Sequence, residues 1–72
     1  MITEDEVLSL LMLQRKIKNH ALSIVKDTPG FGPEVRVQEI NQDQVIFVER
    51  WFFGENYQDE LFGSIPTSRL YE

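Results

Sequence analysis

The segment Pro29-Gly30-Phe31-Gly32-Pro33 divides this chain into two halves with different periodicities. Before it, apolar residues recur at helical spacing. After it, β-branched and aromatic residues gather in short runs. Residues of about 3–27 are predicted to form one long helix. Thr3 and Glu6 make a Thr-x-x-Glu capping box, with Ile2 and Val7 at the positions of a hydrophobic staple. Glu4, Asp5 and Glu6 sit at the positive end of the helix dipole, and Arg15, Lys16, Lys18 and Lys26 follow on the favourable side. Thr28 precedes proline and is pushed out of the helical region, so the helix ends near Asp27. The glycines of the connector lack the lysine or serine of a phosphate-binding loop, and no strand precedes them. The segment reads as a rigid reversal with Phe31 tucked under it.

Three strand-like runs follow, at about 34–40, 45–53 and 57–65. Turns at Asn41–Gln44 and Gly54–Asn56 separate them, and Gly63 marks a possible bulge. Pro66 ends the third strand, and Thr67–Glu72 follows as one helical turn or a loose tail. Short connections favour an antiparallel meander. The expected fold is α+β, a single domain over residues 1–72 in the order α-β-β-β. One long N-terminal helix packs on the three-stranded sheet, which is its only available partner.

The apolar residues outnumber the sites this layout can cover. At helical spacing Val7, Leu10, Leu11, Ile17, Ala21, Ile24 and Val25 share one face and belong on the sheet. Leu8, Met12 and Leu13 extend the apolar surface around the helix flank. An even-numbered first hairpin loop sets Val37 opposite Val48 and Arg36 opposite Glu49. That register places Val35, Val37, Ile46, Val48 and Phe52 on the helix-facing side, joined by Leu61 and Ile65. Val45, Phe47, Trp51 and Phe53 are left on the outer face. Either Arg36, Gln38, Leu70 and Tyr71 shield these aromatics, or the surplus is an interface.

Chemistry is hard to find in the sequence. There is no cysteine and only one histidine, which removes disulfides, thiolate metal sites and histidine-rich metal sites within one chain. A chain of 72 residues without such staples relies on tight packing or association. No Gly-x-Ser-x-Gly elbow accompanies Ser9, Ser23, Ser64 or Ser68, and His20 reads as a partly exposed structural side chain. Glu49, Glu55, Asp59 and Glu60 have no calcium-loop spacing and read as a solvated acidic edge. The expectation is therefore no catalytic residues, no cofactor-binding residues and no metal ligands. The net charge of −5 argues against direct nucleic-acid binding, with Arg15, Lys16 and Lys18 the one basic cluster. No stretch is long enough to span a bilayer. The acidic opening Met1–Glu6 is unlike a secretory or transit leader, and the lack of cysteine suits a reducing cytoplasm.

The function these features favour is a small non-enzymatic interaction protein, a homodimer or a subunit or adaptor of a larger protein assembly. Its candidate interface is Leu8, Met12 and Leu13 on the helix flank, or Phe47, Trp51 and Phe53 on the sheet. The alternative is an acidic inhibitor or nucleic-acid mimic whose Glu39, Asp43, Glu49, Glu55, Asp59 and Glu60 occupy a basic groove of a partner.

Overall fold

The structure, a computed structural model, describes residues 2–72. Its order is α1 (Glu4–Val25), β1 (Val35–Ile40), β2 (Gln44–Phe53), β3 (Asn56–Pro66) and a 3₁₀ turn at Thr67–Tyr71. The strands form one antiparallel sheet in the order β1-β2-β3. The α+β arrangement and the α-β-β-β order agree with the sequence reading.

Local chemistry sets each boundary. Thr3 caps α1, its hydroxyl accepting from the Glu6 amide at 3.2 Å. In the connector Gly30 has a φ of 88°, which a side chain would resist. Phe31 lies half-buried, edge-on to Phe62 at 6.2 Å between ring centres. Asn41 closes the first hairpin, its side-chain oxygen accepting from the amides of Asp43 and Gln44, both at 2.9 Å. The Thr67 hydroxyl donates to the Asn41 carbonyl at 2.7 Å, tying the 3₁₀ turn to that hairpin. The second hairpin turns on Gly54 and Glu55, with positive φ at Gly54 alone, as a type II′ turn requires.

The core sits under the last turns of the helix. Ala21 and Val25 pack with Val35, Val45, Phe47 and Ile65, and Leu22, Ile24, Phe31, Val37, Phe62 and Leu70 surround them. This corrects the expected faces. The pairs Ile40–Val45 and Glu39–Ile46 keep the register expected of an even loop, but a bulge at Gln38 then shifts it. Val37 pairs with Phe47, Arg36 with Val48, and Val35 with Glu49. One inserted residue inverts the faces that meet. Val35 and Val37 therefore join Val45 and Phe47 under the helix, whereas Val48 lies on the opposite face. A second bulge at Phe62 and Gly63 separates Leu61, 75% exposed, from buried Ile65. Phe52, expected inside, is exposed and lies opposite Tyr57.

The helix outruns the sheet. Its last turns reach the core shared by the three strands through Ala21 and Val25, and its middle borders the edge strand β1 through Gln14, Ile17 and Lys18. Residues 2–16 are all exposed. Val7 and Leu10, assigned to the sheet by their spacing, are exposed, and Leu11 lines only the open cleft beside β1. The radius of gyration is 14.1 Å, against about 11 Å for a compact chain of this length. The molecule measures 41 × 36 × 18 Å, a flat body with the helix and the second hairpin projecting from it.

The burial pattern gives a direct test. Phe47, 1% exposed, fills the centre of the core. Phe47→Ala is expected to cost about 3–5 kcal/mol, comparable with the whole stability of so small a domain. Leu61→Ala should change stability by less than about 0.5 kcal/mol. Urea titrations followed by circular dichroism compare the two.

Candidate interaction surface

Two apolar areas remain open. The first is the overhanging half of α1, where Val7, Leu8, Leu10, Leu11, Met12 and Leu13 are between 45% and 62% exposed. Ile17 is the first helix residue that is not exposed. The second is the end of the β2–β3 hairpin. Trp51 and Phe53 alternate in phase with buried Phe47 and so share its face, but beyond the cover of the helix. They are not on the outer face where the sequence reading placed them. Phe52, Tyr57 and Leu61 project from the opposite side of the same hairpin.

The expected interface residues thus separate. Leu8, Met12 and Leu13 stand together on the overhang, and Trp51 and Phe53 stand together on the hairpin. Phe47 is in the core and offers no surface. Val7, Leu10 and Leu11 belong to the overhang and were missed, because periodicity identifies an apolar face but not the length of its partner.

Charge is arranged around these areas. Arg50 lies opposite Asp59, donating from Nε at 2.9 Å and from Nη2 at 3.2 Å to the two carboxylate oxygens. Its guanidinium also covers the Tyr57 ring, 3.8 Å from the centroid. The expected Arg36–Glu49 pair is not formed. Arg36 lies 3.8 Å from Glu34, and Glu49 faces Glu60 across the strands. Of the acidic residues considered for a mimic, Asp59 is held by Arg50 and Glu39 accepts from Asn41 at 3.2 Å. These contacts leave less free carboxylate than the sequence suggests.

A cleft of about 620 Å³ runs between α1 and β1. Leu11 and Leu22 supply apolar wall, and Arg15, Lys18, Arg36 and Arg50 line it with four of the seven basic side chains. Sequence order does not bring Arg36 and Arg50 beside the Arg15–Lys18 cluster; the passage of α1 along β1 does. His20 lies on the same helix, its Nε2–H donating to the Leu70 carbonyl at 3.1 Å. It ties the C-terminal turn to the helix.

Among the described residues, no three His, Cys, Asp or Glu side chains group as a metal site, and no helix is long and apolar enough to cross a membrane. Comparison with protein-family models, curated proteins and solved structures finds no match.

The Arg50 hydrogen bond, reinforced by its charge, holds the Asp59 carboxyl below its ordinary value, against a smaller opposing effect of desolvation. A carboxylate with a depressed folded pKa contributes stability above its unfolded value, near pH 4. That contribution is lost as pH falls through the folded value. Asp59→Asn should remove this component. Between about pH 5 and pH 2 the wild-type chain should lose more stability than the variant, as measured by chemical denaturation at stepped pH.

Proposed function

We propose that this chain is a small non-enzymatic protein-interaction module, working as a homodimer or as a subunit or adaptor within a larger protein assembly. The carrying observation is the amount of surface left open. The chain exposes 5941 Å², whereas a compact monomer of its mass exposes roughly 4,700 Å². The excess, roughly 1,200 Å², is more than the ~800 Å² per partner of a standard protein interface. Much of it is Leu, Met, Trp, Phe and Tyr side chain on the helix overhang and the hairpin end. Aromatic residues and methionine are the types enriched at interfaces. Apolar surface of this kind on a monomer is costly to leave in water and marks a place where another protein sits.

Charge on the apolar surface provides the test. Leu10→Glu and Trp51→Glu alter exposed residues outside the core, so each variant should keep the fold and its circular dichroism spectrum. The wild-type chain in an extract of its own cells should elute with an assembly well above 8.5 kDa. At least one of the two variants should shift towards free chain. A wild-type chain that elutes at 8.5 kDa both purified and in extract would overturn the reading.

A further inference from the structure

We propose that the partner of the helix overhang is a second copy of this chain, with the two α1 overhangs paired antiparallel about a two-fold axis between Ser9 and Leu10. This rests on the interaction-module reading and names its partner.

The stripe that carries the pairing is Glu4, Leu8, Leu11 and Arg15. These residues alternate at spacings of four and three, which keeps them on one side of the helix. The same side continues through Lys18 to Leu22, and Leu11, Arg15, Lys18 and Leu22 line the cleft beside β1. Glu4, Leu8, Leu11 and Arg15 are all exposed, so the stripe is open to an incoming helix. Val7 and Met12 flank it and are exposed.

Charge fixes the direction. Among the described residues, Glu4, Arg15 and Lys18 make no ion pair within the chain. In a parallel pair Glu4, Asp5 and Glu6 meet the same three acids, and Arg15 meets Arg15. In the antiparallel pair Leu8 of one copy meets Leu11 of the other, and Glu4 meets Arg15. Each acidic helix start then reaches the mouth of the other copy's basic cleft. Helix dipoles also oppose favourably in this arrangement. The contact is isologous, as a closed two-fold dimer requires. The excess surface of each chain exceeds what a standard interface needs.

The chain has no cysteine, so single introduced cysteines report the geometry cleanly. Purified wild-type chain is expected to scatter light at twice 8.5 kDa. Glu4→Cys and Arg15→Cys chains, mixed and oxidised, should cross-link to each other. Neither should cross-link alone, because equivalent positions lie roughly 16 Å apart along the antiparallel axis, beyond disulfide reach. Leu11→Glu should weaken the dimer at least tenfold while leaving the circular dichroism spectrum of the monomer intact. Arg15→Glu should weaken it too, and mixing with Glu4→Arg should restore it.

Self-cross-linking of either cysteine variant would overturn the antiparallel pairing. A dimer that survives Leu11→Glu but dissociates with Trp51→Glu would place the interface on the hairpin instead. A purified monomer at tens of micromolar would overturn the second copy as partner. If that monomer still entered a large assembly in extract, the interaction-module reading would stand without it.

Discussion

Ala21 and Val25 attach the helix to the sheet by joining the buried cluster of Val35, Val45, Phe47 and Ile65, and every other feature follows from where that contact falls. It lies in the last turns of α1 and towards the middle of the sheet. Ala21 is fully buried in that cluster, and Phe47 is the largest side chain packed into it. Three strands spaced by about 4.8 Å make a narrow sheet. A helix of 22 residues is about 33 Å long. Seated by its C-terminal end, it leaves residues 4–16 exposed. The exposed leucines follow from where the helix is seated and do not reflect faulty patterning.

The two bulges decide which residues use that contact. In β1 the apolar residues near the strand start are Val35 and Val37, and in β2 they are Val45 and Phe47. Uninterrupted pairing from the Asn41 turn would put these two sets on opposite faces. Gln38 absorbs the extra residue and brings them together. In β3, Phe62 and Gly63 do the same work for Ile65, and Leu61 is turned outward as a result. The helix, the three strands, both turns and the cap were legible because each rests on short-range chemistry: a threonine hydroxyl, an asparagine side chain, a proline, a glycine with positive φ. The faces were not legible, because a bulge is settled by the competition between two strands for one core. Gly63 was a local hint of the second bulge; Gln38 gave none of the first.

The candidate surface shows the same division. Leu8, Met12 and Leu13 were identifiable because they stand off the apolar stripe that the helix needs for its own sheet. Val7, Leu10 and Leu11 were not, because they lie on that stripe and only the sheet's narrowness strands them. Trp51 and Phe53 were identified as surplus for a reason the structure changes. They are exposed because the helix does not extend over the hairpin end, although they share the face of Phe47. Phe47 was misjudged through the register alone.

Placement of charge links the fold to its use. The chain carries a net charge of −5, and four of its seven basic side chains meet along one cleft. Asp59 engages Arg50, and Glu34 lies near Arg36, so the sheet side of the cleft is largely compensated. The helix side, Arg15 and Lys18, is left to solvent. The acids Glu4, Asp5 and Glu6, which form no ion pair among the described residues, stand at the other end of the same apolar belt. Within one helix these groups cannot meet, because the belt holds them more than two turns apart. A partner that buries the belt removes water from between them and strengthens whatever opposite charges it brings to each end. An antiparallel copy brings acid to base at both ends with no change of sequence, so the apolar and ionic requirements of the overhang are met by the same geometry.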